Sequence, residues 1–276
     1  MKAIKKTWGA WGLIIIAVLY MGLLIIAPVA ALIKGAFQNG FNDLWYSLQV
    51  PALGQSLLLS LQIALLVVII QAVFGSLIAW VIVRQDFKGK WFLNGILDIP
   101  FAISPVVVGY MLLLLFGRNG LLSSVLEVFN IRVAFAVPGM FLATLFVCLP
   151  FMIREMVPVI QNLDRQQEFA AETLGATSWT IFSRIIFPQI KSALIYGMTL
   201  TLARALGEFG AVLVVGGGVE GRTETTTLYI FRALEERRTT DAYIASILLG
   251  SFSVLIVFVA DLFKQRHTMK SQENFG

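Results

Sequence analysis

From its N-terminus the chain alternates long apolar runs with short polar ones, and the apolar runs are too long for a soluble core. About 20 consecutive apolar residues cross a bilayer as a helix. Six segments qualify, roughly 11–33, 56–83, 92–116, 133–153, 193–216 and 242–263. The pattern predicts an all-α polytopic membrane protein with about six transmembrane helices, forming one membrane domain over residues 1–276. Connections are short except at 154–192 and 217–241. The first apolar run, Leu13 to Ile33, follows Lys2, Lys5 and Lys6 as a secretory signal would. It exceeds the roughly 7–15-residue apolar core of such a signal, so it is expected to remain as the first span.

Composition agrees with this pattern. Of 276 residues, 58% are hydrophobic and 13% charged. A soluble domain carries about 25% charged residues, so much of this surface is expected to face lipid. The single cysteine, Cys148, excludes a disulfide framework within the chain and a cysteine metal cluster. With one histidine, His267, in a basic tail, nothing points to metal or histidine-based catalysis. The net charge of +5 reads as membrane topology rather than nucleic-acid binding, because lysines and arginines sit at the ends of apolar segments.

That placement also predicts orientation. One side receives Lys2, Lys5, Lys6, Arg84, Lys88, Lys90, Arg154, Arg165, Arg184, Lys191, Lys264, Arg266 and Lys270. The other has Lys34, Arg118, Arg132, Arg222, Arg232, Arg237 and Arg238. Thirteen against seven favours both termini in the cytoplasm. Trp8, Trp11, Trp45, Tyr46, Trp80 and Trp91 fall near segment ends, as interfacial anchors do. The outer 118–132 loop has Leu121, Leu122, Val125, Leu126 and Phe129 at helical spacing, as for a short surface helix. Leu228, Phe231 and Leu234 repeat that pattern in 217–241. The glycines Gly75, Gly109, Gly197 and Gly207 mark places where helices can approach closely.

Residues 154–192 form a polar island on the cytoplasmic side. Asp164, Arg165, Glu168 and Glu172 alternate with Phe169, Ala170 and Leu174, which predicts a short amphipathic helix. The small side chains of Ala170 and Ala171 would let another surface approach its backbone. Gly175 is placed to stop this helix in the left-handed conformation. Ile181, Phe182, Ile185 and Ile186 predict a second amphipathic helix, which Pro188 is expected to end. An ordinary helical hairpin would show the same pattern.

These residues resemble the EAA loop of bacterial ABC importer permeases, Glu-Ala-Ala-x3-Gly-x9-Ile-x-Leu-Pro. Ala170, Ala171, Gly175, Ile185 and Pro188 match at the motif spacing, while Phe169 stands at the glutamate position with Glu168 one residue earlier, and Phe187 replaces leucine. Asp98 to Gly109, Phe116 to Gly120 and Ala203 to Ala211 are similar to oxyanion permeases, and Cys148 to Val159 leans towards the CysW-like sulfate/thiosulfate branch. The resemblance implies the type I importer permease fold and a bacterial inner-membrane location. It also implies a CysT-like sister permease, two CysA-like ATPase copies and a periplasmic sulfate- or thiosulfate-binding protein. ATPase coupling would fall to Glu168, Phe169, Ala170, Ala171, Gly175, Ile185 and Pro188. No cofactor is expected in this chain; ATP-Mg would be bound by the ATPase. In agreement, the sequence has no Gly-x4-Gly-Lys-Ser/Thr phosphate loop.

A sulfate dianion needs a polar path through hydrocarbon. Arg204 and Glu208 lie in the fifth apolar segment, one helical turn apart. They can serve the pathway, or neutralise each other and stitch helices together. Pro100 and Pro105 break the third segment, leaving either a packing kink or a half-helix N-terminus near Ser104 that offers N–H groups to an oxyanion. Pathway candidates are therefore Arg204, Glu208, Ser104 and Pro105. A molybdate or tungstate permease is the nearest alternative, because these oxyanions share charge and shape with sulfate. An ion-gradient-driven carrier or channel is the alternative from another class, and it leaves the polar island unexplained.

Overall fold

The computed structural model describes residues 8–38 and 40–273. Lys2, Lys5 and Lys6, and the side chains of Trp8, Lys264, Arg266, His267 and Lys270, lie outside the described residues. Every regular element among the described residues is helical. In chain order these are α1 (Trp8–Ala36), α2 (Phe41–Leu48), α3 (Pro51–Arg84), α4 (Lys90–Ala102), α5 (Pro105–Phe116) and α6 (Ser123–Val128). They continue with α7 (Val137–Gln161), α8 (Arg165–Thr173), α9 (Ser178–Leu206), α10 (Gly210–Gly216), α11 (Thr226–Glu235) and α12 (Thr239–Glu273). Among the described residues five helices are long and apolar enough to cross a membrane: α1, α3, α7, α9 and the Thr239–Val259 part of α12. The pair α4–α5 makes a sixth candidate, bent by 110°.

The chain divides into two compact units. The first comprises residues 1–50 and 230–248. Its helix α1 buries nothing along its most apolar window, as expected of a helix surrounded by lipid. At the end of α1, Gly35 lies against the Tyr243 ring, with no room for a Cβ. Arg238 bridges Glu236 and Asp241, both at 2.7 Å, and its hydrogen bond holds the Glu236 carboxyl below its usual range.

The second unit, residues 51–229 and 249–276, is built around α7. Half of the apolar window of α7 is buried, against a third for α3 and α9. Lipid tails are as apolar as leucine, so helices in a bilayer associate through close packing and hydrogen bonds rather than by escaping water. Small residues supply the close packing here. A Cβ on Gly75 of α3 would sit 2.9 Å from Met152 Cγ, and one on Gly197 of α9 would sit 2.6 Å from Met152 Sδ. Met152 of α7 is thus held between two glycine notches, with no exposed surface. Hydrogen bonds add to this: buried Gln71 donates from Nε2 to the Leu145 carbonyl at 3.0 Å.

Several expectations are revised. Pro100 lies inside α4, and the chain breaks instead at Ile103–Ser104, because Pro105 takes the first turn of α5, where its missing N–H costs nothing. The fifth segment is likewise two helices: α9 ends at Leu206, and α10 starts at Gly210. Gly207 is not a close-approach point, since a Cβ there would meet only its own helix at 3.7 Å. It caps α9. Pro188 does not end a helix, and α9 runs through it. A π-helical turn at Phe182–Ile186, with Phe187 N–H bonded to the Phe182 carbonyl, precedes the proline and accommodates its missing donor. Finally, Thr223 to Thr226 are buried rather than forming exposed loop, and the Thr226 N–H donates to Ser60 Oγ at 2.8 Å.

Helix α5 packs on α10 through Gly109, where a Cβ would lie 2.6 Å from the Ala211 carbonyl oxygen. Backbone cannot give way as a side-chain tip can. Gly109→Ala is therefore expected to destabilise the purified chain by about 1–3 kcal/mol. Gly95→Ala on α4, with open space around it, should be neutral or stabilising by up to about 1 kcal/mol. Thermal unfolding midpoints in detergent check the contrast.

Candidate functional site

The polar island folds into a knuckle made of α8 and the start of α9. Residues 154–161 belong instead to the end of α7. Asp164 begins α8 by accepting the Gln166 N–H at 2.9 Å. The helix ends in a Schellman motif: Gly175 N–H bonds to Glu172 O at 2.9 Å, and Ala176 N–H bonds to Ala171 O at 3.0 Å. Gly175 has φ +81°, which few L-residues adopt at low cost. The stop predicted at this glycine is therefore a backbone requirement.

The two alanines of the motif have different surroundings. Ala170 is exposed, whereas Ala171 packs with Ala176 and Ile185 against the apolar cluster of Ile181, Ile186 and Met156. Ala171 is thus small to fit its own bundle, not to admit a partner. Phe169, at the glutamate position, is 60% exposed, and beyond it Leu174 is 89% and Trp179 73% exposed. These are the most exposed large apolar side chains of the knuckle, and Phe182 lies beside Trp179 with ring centroids 5.8 Å apart. Glu168 turns the other way and pairs with Arg84 at 2.5 Å. Pro188 is exposed on α9, and its neighbour Gln189 donates to Gln167 Oε1 of α8 at 3.2 Å. The seven residues assigned to coupling therefore gather on and beneath one knuckle. The exposed Leu174 and Trp179 were not in that set.

The four pathway candidates gather where the two broken spans meet. A Cβ on Gly210 would lie 3.0 Å from Val106 Cγ2 and 3.4 Å from Pro105 Cβ, so the start of α5 sits against the start of α10. Ser104 caps α5 with its backbone, its carbonyl accepting from Val108 N–H at 3.1 Å, and makes no side-chain cap. Arg204 and Glu208 form an ion pair at 2.7 Å, but Glu208 lies past the end of α9 and is 2% exposed. Its other oxygen accepts the Ala211 N–H at 3.0 Å, and its backbone carbonyl accepts from Thr227 Oγ1 at 2.7 Å. Glu208 therefore holds three elements together: it balances Arg204, caps α10 and anchors the start of α11. Thr227, which supports this junction from 217–241, went unnoticed in the sequence, as did Thr223, which bonds the Gly216 carbonyl at the end of α10, and Thr226, which bonds Ser60. The run Thr223-Glu224-Thr225-Thr226-Thr227 was the available signal.

Residues 71–268 match the family model described as the inner membrane component of binding-protein-dependent transport systems. The chain belongs to this family. A sulfate transport system permease protein CysW of Synechococcus elongatus is 42% identical over 260 residues, covering 94% of this chain and 91% of the relative. CysW of Escherichia coli strain K12 is 39% identical over 266 residues, 96% and 91% of the two chains. CysT of the same strain is 35% identical, covering 91% and 90%. A bacterial ABC transporter that imports the acidic polysaccharide alginate has a chain of the same fold, with TM-score 0.79 over 95% of this chain and 97% of that one, at 18% identity. The chain is thus a multi-pass ABC importer permease with the type I fold.

In this permease Glu208 carries a charge that the Arg204 guanidinium balances. Removing the Glu208 carboxylate leaves the Ala211 N–H without its acceptor, a loss of about 1–3 kcal/mol, and leaves Arg204, whose side chain is 28% exposed, without its counter-charge. Glu208→Ala should therefore lower the unfolding midpoint of the purified chain. Glu208→Gln, which retains an acceptor for the Ala211 N–H, should lower it less.

Proposed function

We propose that this permease translocates sulfate or thiosulfate across the bacterial inner membrane as one subunit of an ATP-driven importer, with both termini in the cytoplasm. Its CysT-like sister permease would share the pathway, a separate ATPase dimer would bind ATP-Mg, and a periplasmic binding protein would deliver the anion. The exposed apolar side chains of the knuckle, Phe169, Leu174 and Trp179, carry the ATPase assignment. Large apolar side chains grouped in an aqueous segment mark a protein-docking surface. The substrate assignment is supported by the relatives named sulfate permeases over nearly their whole length. A closed transport cycle follows: the binding protein delivers the anion, ATP closes the motor dimer, and the knuckle passes that closure to the spans.

Two measurements test this reading. In proteoliposomes containing both permeases, labelled sulfate uptake should require ATP, the ATPase and the binding protein together, with thiosulfate competing better than molybdate. Uptake by the permeases alone would instead identify a carrier or channel. In the second, Leu174→Asp should weaken co-purification with the ATPase by tenfold or more, since a buried leucine contributes about 1.5–3 kcal/mol. Membrane insertion should persist, because Leu174 makes so little contact with its own chain.

A further inference from the structure

Helix α8 has no buried residue, so few contacts fix its position on the bundle. Ala171 and Ala176 contribute small apolar contacts, and the Gln189–Gln167 hydrogen bond is exposed. The strongest tether is the fork between Arg84 and Glu168: Nη2 to Oε1 at 2.5 Å and Nη1 to Oε2 at 3.3 Å. Among the described residues no other ion pair reaches α8. The two side chains are only 9% and 17% exposed, so water screens them little. Arg84 is itself oriented, its guanidinium carbon lying 4.8 Å from the centre of the Trp80 ring.

Where Arg84 sits in α3 matters as much as what it binds. It is the last residue of that helix, nine residues beyond the π-helical turn at Gln71–Gly75. A π turn is a local irregularity in the ladder and a frequent feature of functional helices. A displacement of α8 pulled through Glu168 thus acts on the C-terminal end of a short helical segment, Ser76–Arg84, whose other end is that turn and whose Ala79 and Ile82 pack into the apolar cluster with Met152 and Met156 of α7. The turn itself faces Met152 through Gly75. A continuous mechanical route runs from the knuckle to the centre of the bundle.

We propose that Arg84 is a positioning residue that couples the knuckle to α3, so that motion imposed on α8 reaches the second span through the Arg84–Glu168 fork. This rests on the docking reading above. Glu168 then acts inside the chain, and the exposed residues beside it meet the partner. The two-pronged geometry suits arginine at this position, since lysine offers only a single point charge.

The test uses the complete reconstituted importer and reads sulfate imported per ATP hydrolysed, alongside co-purification of the ATPase. Arg84→Ala should lower that ratio roughly fivefold or more, the lower end of ordinary coupling free energies, with the ATPase still bound. Arg84→Lys should fall between Ala and the unaltered chain. The exchanged pair Arg84→Glu with Glu168→Arg should recover much of the loss, which a purely structural or docking role of either residue does not predict. Ratios within about twofold of the unaltered importer for both Ala and Lys variants lie below ordinary coupling and would overturn the proposal. So would an exchanged pair that assembles but performs no better than Arg84→Ala. If Arg84→Ala fails to assemble, the Lys variant and the exchanged pair decide by the same ratio. Absence of ATP-dependent uptake by the unaltered importer overturns the functional reading itself, and is recognised because no variant is then involved.

Discussion

Helices in lipid gain nothing by hiding apolar surface from one another, so the second unit depends on how closely backbones can approach α7. Met152 makes that dependence visible, because its side chain occupies the space left by two absent Cβ atoms, on Gly75 and Gly197. Close approach multiplies weak dispersion contacts and brings Gln71 within reach of the Leu145 carbonyl. The π turn ends at Gly75, and the apolar cluster under the knuckle includes Met152, Ile153 and Met156.

The two broken spans show how polar backbone is tolerated at membrane depth. Free N–H and C=O groups in hydrocarbon must find partners within the protein. Where α9 gives way to α10, Glu208 supplies those partners: its carboxylate takes the Ala211 N–H, and its carbonyl takes the Thr227 hydroxyl. Arg204 balances its charge. A pair that looked in sequence like two residues one turn apart on a continuous helix is instead a clasp across a helix break.

Much of the architecture was legible because bilayer thickness imposes a length on every apolar run. The six segments, the stop at Gly175 and the short α6 all follow from periodicity and glycine chemistry local to each stretch. The knuckle was legible for the same reason: a polar helix between greasy ones has few alternatives. The fate of its motif residues was less so. Ala170 and Ala171 are chemically identical and adjacent, yet one is exposed and the other packs inward. Only helical phase relative to a packed neighbour separates them. Likewise, nothing near Glu168 in sequence announces Arg84, which is 84 positions away.

The sequence by itself determined the membrane setting, the long apolar segments, the exposed polar segment and the family, since these depend on composition and on short-range spacing. Tertiary structure decided which prolines interrupt a helix: Pro105 does and Pro188 does not, because a preceding π turn can take up a missing donor. It also decided that Thr223 to Thr226 are buried and that Glu168 is turned inward. Those outcomes rest on partners far away along the chain, and a partner's position is a property of the packed fold, not of any local stretch of residues.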